Sequence, residues 1–323
     1  MASGQGRITF LFLGGAKRVG MARLFEKAAQ ERGIELRIIG YELDRLCPLG
    51  GKYEIVEGLR WSDPAVFAHL GEVVEDYEVD ALIPFVDGAV GVAAEFAARH
   101  TGRRVFVPAS GRELVDKMFD KVAAAELFER LGLPIPATYR DGDPCLRLIA
   151  KPRFGSASKG IVEINSLQKL YELQGVSHRY LIQERIDNRE ELTVDCYVCV
   201  RTGHIAGISP RVRLEVSGGE VVRTLTVDCP EAVALARRTL EATGLRGAVT
   251  VQLIRDLDNG RYMVMEINPR LGGGAVASVY SGFNLPAAII ADCLGEEVNA
   301  GEARPGYMTV RYLEDLVFVP END

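Results

Sequence analysis

Three oxygen-bearing side chains in the last third of the sequence could together bind a divalent cation. Glu266 and Asn268 are two residues apart in a strand-like segment, so they share one face. Gln252 precedes Glu266 by fourteen residues with an Asn-Gly turn signal midway, so an odd-length loop would place the two opposite each other. One carboxylate and two amide oxygens on one face suit Mg²⁺. There are two alternatives. A two-residue turn would shift the register by one, and the segment could be an edge strand whose polar residues are simply solvated.

Two cationic segments could bind phosphate groups. Arg270 closes the sequence EINPR, and its planar guanidinium suits phosphate oxygens. Lys151 ends an apolar strand and opens the loop KPRFGSASKGI, whose glycines and serines would let backbone amides approach an anion. The loop lacks the pattern of a Walker A motif, and an ordinary hairpin turn is the alternative. Its candidate anion contacts are Gly155, Ser156, Ser158, Lys159 and Gly160.

Two further segments carry weaker signals. Lys121 lies at a predicted helix start after Asp120, a residue suited to capping, although a solvated lysine would look the same. In YLIQERIDNREEL an apolar strand ends at Gln183 and Glu184, and Glu191 opens the next strand. Exposed backbone after such a strand can pair with the edge of a purine, but an ordinary loop has the same pattern.

The elements that must position these residues change in character along the chain. The N-terminal third alternates apolar strands with amphipathic helices, which predicts right-handed βαβ units and a doubly wound parallel sheet. Its predicted strands are 8–13, 35–42, 81–85 and 103–108, and its predicted helices are 17–32, 64–77 and 89–100.

After Pro108 the pattern favours an α+β region built on antiparallel sheet. One helix is predicted at 112–131 and another at 230–242, and a hairpin at 247–269 turns at the sequence Asp-Asn-Gly. The other predicted strands are 146–152, 160–164, 179–184, 191–200, 204–209 and 220–227.

Composition limits the class of protein. The chain has 323 residues, which predicts two or three domains, and a net charge of −7, which argues against a broad nucleic-acid-binding surface. No apolar run has the ~20 residues of a membrane span, and the N-terminus does not resemble a signal peptide, so we expect a cytoplasmic protein. The four histidines are scattered, and Cys196 and Cys199 are predicted to point to opposite faces of one strand. A zinc hydrolase or a cysteine–histidine protease is therefore not expected.

The order of these motifs, rather than any one of them, resembles the ATP-grasp superfamily and in particular its carbamoyl-phosphate-synthase-like members. The resemblance covers essentially the whole chain. It implies a mixed α/β and α+β fold: a Rossmann-like pre-ATP-grasp domain at 1–110, followed by a two-lobed ATP-grasp domain with lobes at 111–186 and 187–323. The fourteen-residue spacing from Gln252 to Glu266 and the sequence EINPR are its most specific parts.

The resemblance also implies a role for each candidate residue. Lys121 and Lys151 would bind the phosphates of ATP, with Lys151 and Arg270 also acting in catalysis. The hinge from Gln183 to Ile186 would bind adenine, with Glu184 near its amino group. The remaining assignments are Glu191 for the ribose hydroxyls, Gln252, Glu266 and Asn268 for Mg²⁺ (or Mn²⁺), and Arg270 for the transferred phosphoryl group.

The implied activity is an ADP-forming carboxylate–amine ligase, which activates a small carboxylate as an acyl phosphate for attack by an amine or similar nucleophile. No second grasp unit is recognisable in these 323 residues, so a full carbamoyl-phosphate synthase is not expected. Partners would be small molecules, with neither nucleic acid nor membrane, and a homodimer is allowed. The alternatives are a phosphotransferase on the same fold and a non-catalytic ATP sensor. A Rossmann dehydrogenase is disfavoured because LGGAKRVG is not GxGxxG.

Substrate-binding residues are the least determined by the sequence. Arg211 and Arg213 share a strand face by their spacing and could hold an acceptor carboxylate or be surface charges. Arg18, Asp87 and the glycines Gly272, Gly273 and Gly274 are expected to line the cleft, because ligands bind at the carboxyl ends of parallel strands.

Overall fold

The computed structural model describes residues 6–140, 147–155 and 159–318. In these ranges the strands form three sheets. One is a four-stranded parallel sheet near the N-terminus, one a three-stranded antiparallel sheet, and one a six-stranded antiparallel sheet. The fold is thus mixed α/β, as the sequence predicts.

The parallel sheet has the strand order β3-β2-β1-β4 and carries helices on its faces. In chain order its elements are β1 (Arg7–Leu13), α1 (Val19–Gln30), β2 (Glu35–Glu42), β3 (Glu54–Glu57), α2 (Val66–Asp76), β4 (Ala81–Pro84) and α3 (Asp87–Arg99). The predicted strands at β1, β2 and β4 are confirmed, whereas the short edge strand β3 was not predicted.

The strand predicted at 103–108 is wrong. This segment makes only an isolated parallel bridge between Phe106 and Ala81. Phe106 exchanges hydrogen bonds with the backbone on both sides of Ala81, but the next rung of the ladder would need N–H groups from Pro108 and Pro84. Because proline has no N–H, the pairing stops there.

The single helix predicted at 112–131 is also wrong, because it is two helices: α4 (Arg112–Phe119) and α5 (Lys121–Arg130). Asp120 between them is extended, and its carboxylate accepts hydrogen bonds from the N–H groups of Val122 and Ala123. The prediction that Lys121 begins a helix capped by Asp120 is confirmed.

The three-stranded sheet has the order β6-β5-β7 and the six-stranded sheet the order β12-β11-β8-β9-β10-β13. The elements of the smaller sheet are β5 (Leu148–Pro152), β6 (Val162–Ile164), α6 (Leu167–Gln174) and β7 (Tyr180–Glu184). The elements of the larger are β8 (Arg189–Val198), β9 (Ile205–Ser217), β10 (Glu220–Thr226), α7 (Pro230–Thr243), β11 (Gly247–Asp256), β12 (Tyr262–Asn268), α8 (Val276–Tyr280), α9 (Leu285–Cys293) and β13 (Met308–Val310).

One apolar core joins the parallel sheet to the six-stranded sheet. Phe10 and Phe25 from the N-terminal region belong to the same buried cluster as Tyr197 from β8 and Leu285 and Ile289 from α9. The relative position of these two sheets is therefore fixed by shared burial, which the hydrophobic effect stabilises. Residues contributed by both can consequently form one site.

The two cysteines on and beside β8 lie in different cores. Cys196 packs under the six-stranded sheet, and Cys199 packs in the core shared with the N-terminal region. Both are buried and pack into different cores, so the prediction that they point to opposite faces is confirmed. No helix in the described ranges is both long enough and apolar enough to span a bilayer.

Candidate functional site

A cavity of 320 Å³ lies between the three-stranded and six-stranded sheets and extends to the loops of the N-terminal region. Among the described residues, nine cationic and four acidic side chains line it, so it suits an anionic ligand although the chain as a whole is acidic. The predicted residues that line it are Arg18, Lys121, Lys151, Gly155, Lys159, Glu184, Ile186, Glu191, Arg211, Arg213, Gln252, Glu266, Asn268, Arg270, Gly272, Gly273 and Gly274.

The remaining predicted residues lie elsewhere. Gln183 is buried beneath the cavity and contacts it through Lys151. Gly160 is described but is not part of the cavity wall, and Asp87 reaches the site by binding Arg270. Ser156 and Ser158 lie outside the described residues.

The predicted pairing of Gln252 with Glu266 is confirmed. The pairing arises from a β-bulge and not from the odd-length loop that the sequence suggested. Near the turn, Leu253 pairs with Val264, a register that would place Gln252 opposite Met265. A β-bulge between these pairs inserts Met265 as an extra residue and moves Glu266 into register with Gln252. The bulge also lets Met265 and Glu266 both face the cavity.

A chain of hydrogen bonds holds the polar end of β12. The carboxylate of Asp87, at the start of α3, accepts from Nε of Arg270 at 2.6 Å. Arg270 donates from Nη2 to Oδ1 of Asn268 at 3.3 Å, and Nδ2 of Asn268 donates to Oε1 of Glu266 at 2.9 Å. The guanidinium and the two candidate metal ligands are therefore positioned as one unit, anchored to the N-terminal region.

The two predicted lysines face this unit from the other side of the cavity. Nζ of Lys121 donates to the carbonyl of Gly155 at 2.6 Å and lies 4.0 Å from Oε2 of Glu266. Nζ of Lys151 donates to Oε1 of Gln183 at 3.1 Å. Burial lowers the pKa of the Lys151 ammonium to about 8, opposed by the Glu266 carboxylate and assisted by the charge of Lys121.

Apolar side chains form part of the wall at the hinge end of the cavity, beside the charged side chains of Glu184 and Arg185. Ile186 belongs to a small buried cluster with Ile254 and Met263, against which Met265 packs. The side chain of Glu184 accepts from the N–H of Ala137 at 2.9 Å. This wall of branched and thioether side chains is suited to a flat ring.

Glu191 is held by two arginines. Its carboxylate accepts from Nε of Arg189 at 3.3 Å and from Nη2 of Arg213. Arg213 thus lines the cavity already paired, and Glu191 is fixed at the wall next to the apolar end.

Arg211 is not a surface charge. It is 2% exposed and forms a two-pronged pair with the Asp195 carboxylate, with Nε to Oδ2 at 2.8 Å. A Cβ on Gly272 would lie 2.9 Å from Asp195, and one on Gly274 would lie 2.6 Å from Arg211. The glycines after Arg270 therefore let the backbone approach this buried pair closely.

Sequence reasoning missed two charged residues at the end of the cavity away from the hinge. Glu220 begins β10, and its Oε2 lies 3.7 Å from Nη1 of Arg18. Arg311, after β13, pairs with Glu220 and also donates to the carbonyl of Gly273. The Gly218-Gly219 turn before Glu220 was a weak signal, and Arg311 lies in no motif.

A second cavity of 500 Å³ adjoins the first across Glu266 and Asn268. Aromatic side chains, among them Trp61 and Phe119, form part of its wall, and Asp87 and Asp116 supply acidic groups.

The donor set on β11 and β12 suits magnesium. Within the described ranges no cluster of three or more His, Cys, Asp or Glu side chains could hold a metal ion. The facing set Gln252, Glu266 and Asn268 instead offers one carboxylate and two amide oxygens, which are hard oxygen ligands rather than the nitrogen and sulfur ligands of zinc.

Comparison with known proteins shows what part of the chain is similar to. Residues 177–316 match a family model described as "ATP-grasp in the biosynthetic pathway with Ter operon". The arginine-specific large chain of carbamoyl phosphate synthase from Lactiplantibacillus plantarum is 24% identical over an alignment of 339 positions. The alignment covers 90% of this chain and 31% of that protein. The chain thus spans less than a third of this relative.

Solved structures share the fold of this chain. The biotin carboxylase domain of Hydrogenobacter thermophilus 2-oxoglutarate carboxylase, a dimer crystallised with MgADP, ADP and bicarbonate, superimposes with a TM-score of 0.72 at 15% identity, covering 93% of this chain and 73% of that one. An L-amino acid ligase from Bacillus licheniformis gives a TM-score of 0.70 at 15% identity, covering 94% and 78%. These likenesses establish the fold.

Proposed function

We propose that this chain is an ATP-grasp enzyme, an ADP-forming ligase that activates a carboxylate with ATP for attack by an amine. The observation that carries the proposal is the hydrogen-bonded unit of Asp87, Arg270, Asn268 and Glu266, which faces two lysines across a cationic cavity. Positioning and charge neutralisation are what phosphoryl transfer requires of a protein.

The nucleotide would lie along the cavity. Adenine would pack on the apolar end beside Ile186 and Met265, and the phosphates would lie between Lys121 and Lys151. Glu191, fixed by its two arginines, would accept hydrogen bonds from the ribose hydroxyls. The apolar cluster and the lysine positions support this orientation.

Magnesium would be held by Gln252, Glu266 and Asn268, and manganese could replace it because it accepts the same oxygen ligands. The ion would supply charge neutralisation on the phosphates when bound. Lys121, 4.0 Å from Glu266, lies close enough to share a phosphate oxygen with that site.

Activation of the carboxylate substrate requires no general base. A carboxylate oxygen attacks the γ-phosphorus, the bond to the β–γ bridging oxygen breaks, and ADP leaves. The amine nitrogen then attacks the acyl carbon, the carbon–oxygen bond breaks, phosphate leaves with the former carboxylate oxygen, and a proton passes from the nitrogen to solvent water. Arg270 would bind the transferred phosphoryl group and stabilise its developing charge.

The domain division at 1–110, 111–186 and 187–323 is part of this proposal. The parallel sheet would be the Rossmann-like pre-ATP-grasp domain, and the two antiparallel sheets would be the lobes of the grasp. Because the chain matches less than a third of the carbamoyl phosphate synthase chain, that enzyme's own substrates are not assigned to it.

Trapping with hydroxylamine tests the proposal. Purified protein is incubated with Mg²⁺, ATP, hydroxylamine and a panel of mono-, di- and tricarboxylates and phosphorylated carboxylates. We expect at least one carboxylate to give a hydroxamate with equal amounts of ADP and phosphate. Glu266→Gln should abolish the product, whereas Glu215→Gln, on the exposed part of β9, should not.

Three results would contradict the proposal. ADP formed with a stable phosphorylated product and no free phosphate would indicate a phosphotransferase. Tight ATP binding without ADP release on any panel member would indicate a sensor. Stabilisation by NAD(P) in place of ATP in a thermal-shift assay would indicate a dehydrogenase.

A further inference from the structure

Three separate segments bring cations to the end of the cavity away from the hinge. Arg18 comes from the loop after β1, Arg270 follows β12, and Arg311 follows β13. The C-terminal segment that carries Arg311 continues to the N-terminal region, where Leu316 lies against Gly51. The tertiary fold, rather than a local motif, assembles this cluster.

Glu220 is the carboxylate shared by two of these arginines. It pairs with Nη1 of Arg311 and lies 3.7 Å from Nη1 of Arg18. Burial opposes ionisation of Glu220, but the charges of Arg18 and Arg311 hold its pKa below the ordinary value. One negative charge therefore faces two positive charges, while Arg270 is separately paired with Asp87.

Arg18 is incompletely satisfied. Its Nη1 atom is buried and has no hydrogen-bond partner among the described residues, because the carboxylate of Glu220 at 3.7 Å is beyond hydrogen-bond distance. Burial, together with the like charges of Arg311 and Arg270, lowers the pKa of Arg18, whereas Glu220 opposes that shift. A buried donor without an acceptor is costly, and an incoming anion would remove that cost.

Gly273 leaves space at this point. A Cβ built on Gly273 would lie 3.5 Å from both Nη1 of Arg18 and Nη2 of Arg311. The position beside Gly273 is thus within reach of both guanidinium groups and next to the cavity that Arg18 and Gly273 line. A ligand anion at this position would contact both guanidinium groups.

From this geometry we propose that the carboxylate substrate carries a second anionic group, a carboxylate or a phosphate, which binds Arg18 and Arg311 beside Gly273. The inference rests on the proposed function and names the substrate class. The reacting carboxylate would lie toward Arg270 and the second anion at the Arg18–Arg311 pair. A monocarboxylate would leave that pair without its ligand.

Calorimetry with defined probes tests the inference independently of turnover. Binding of propionate, succinate, citrate and 3-phosphoglycerate is measured in the presence of Mg²⁺ and a non-hydrolysable ATP analogue. We expect succinate, citrate or 3-phosphoglycerate to bind at least about 10-fold more tightly than propionate, because each gains a charge-assisted contact. Comparing 3-phosphoglycerate with the two polycarboxylates tells whether the second anion is a phosphate or a carboxylate.

Variants separate a ligand site from a structural ion pair. Arg18→Gln and Arg311→Gln should each weaken binding of the preferred polyanion by about 10-fold or more, with nucleotide affinity retained. Glu220→Gln should have the opposite effect and tighten polyanion binding, because it removes the competing carboxylate. Arg223→Gln is the matched control, since Arg223 pairs with Glu215 on the surface away from the cavity.

Equal affinity for propionate and the polyanions, or no saturable binding of any polyanion, would overturn the inference. So would weaker polyanion binding in Glu220→Gln, which would indicate a structural role for the cluster. Polyanion preference without hydroxamate formation would retain this anion site and refute the ligase proposal. Hydroxamate formation from monocarboxylates alone would support the ligase proposal and refute this anion site.

Discussion

The two ends of the cavity are built in different ways. At the end proposed to bind the nucleotide (the nucleotide end), Gln252, Glu266 and Asn268 lie on one hairpin and face Lys151 on the neighbouring sheet. At the far end, Arg18, Glu220 and Arg311 come from segments about 90 to 290 residues apart. The first end is encoded by local motifs, whereas the second exists only because the N-terminal region and the C-terminal segment pack against the six-stranded sheet.

This difference predicts how the two ends respond to change. Nucleotide binding should depend on a few side chains on stable strands. Binding at the far end should also depend on the shared apolar core and on the backbone loop that carries Arg18. Substitutions at each end should therefore affect different measurements, and a substitution that affects both would show that the two ends are coupled.

The largest effect is expected at Arg270, which joins the two ends. Arg270→Ala should lower turnover by about 100- to 1,000-fold, because it removes a preorganised charge from the transferred phosphoryl group. Nucleotide affinity should change by less than about 3-fold, since the lysines carry that binding. Steady-state kinetics and calorimetry check the two parts separately; unchanged turnover would remove Arg270 from the mechanism.

A smaller effect is expected at Lys151, on nucleotide binding. Lys151→Ala should weaken ATP affinity by about 10- to 100-fold through loss of a charge-assisted contact. Lys121→Ala should act in the same direction. Lys169→Ala, on exposed α6, is the matched control and should bind ATP like the wild type. Wild-type affinity in both site variants would refute the phosphate assignment.

Nucleotide affinity should also depend on pH through the Lys151 ammonium. Its pKa is lowered to about 8, so the free protein loses this positive charge as pH rises through 8. The groups that set the shift besides burial are Glu266, Lys121, Glu191 and Arg189. ATP affinity should fall by about 5-fold between pH 8 and pH 9 and be nearly constant from pH 6 to 7. In Lys151→Ala this decline should disappear; an identical decline there would assign it to another group.

The smallest effect concerns the loop that carries Arg18. Burial raises the pKa of Glu42 to about 7, opposed by hydrogen bonds from the N–H groups of Gly15 and Ala16 in that loop. Because the folded-state pKa exceeds the ordinary value of 4.5, ionisation destabilises the fold progressively from pH 4.5 to above 7. Glu42→Gln should therefore add about 1–2 kcal/mol to the free energy of unfolding at pH 8 and much less at pH 5.

Urea unfolding at the two pH values measures this difference. ATP affinity should stay unchanged, since Glu42 does not line the cavity. A variant that is less stable than the wild type at pH 8 would show that the buried carboxylate is satisfied when ionised.

The sequence predicted most of the nucleotide end, because strand alternation places Glu266 and Asn268 on one face. It could not predict why Gln252 is opposite Glu266, since the bulge at Met265 has no local signature. Residues 103–108 also have a propensity for strand, but Pro108 and Pro84 lack the N–H groups that further pairing with β4 would need. The sequence pattern of 103–108 alone does not show that these two segments become neighbours. Which segments become neighbours is a tertiary property that periodicity does not contain.

The far end was predicted only in part for the same reason. Arg18 and Gly273 were expected to line the cleft, from their positions after strands. Glu220 and Arg311 were missed, because their role arises from the pairing of β10 with β13 and from the return of the C-terminal segment. Arg211 and Arg213 share a strand face as predicted, but their partners, Asp195 and Glu191, come from β8.

The most direct test of the central claim follows the carboxylate oxygen. A carboxylate that gives a hydroxamate is labelled with ¹⁸O, and the phosphate released during ligation to its amine is analysed by mass spectrometry. Activation as an acyl phosphate predicts that each released phosphate carries one oxygen from the labelled carboxylate. Unlabelled phosphate, with both ¹⁸O atoms retained in the carboxylate-derived product, would contradict activation through an acyl phosphate.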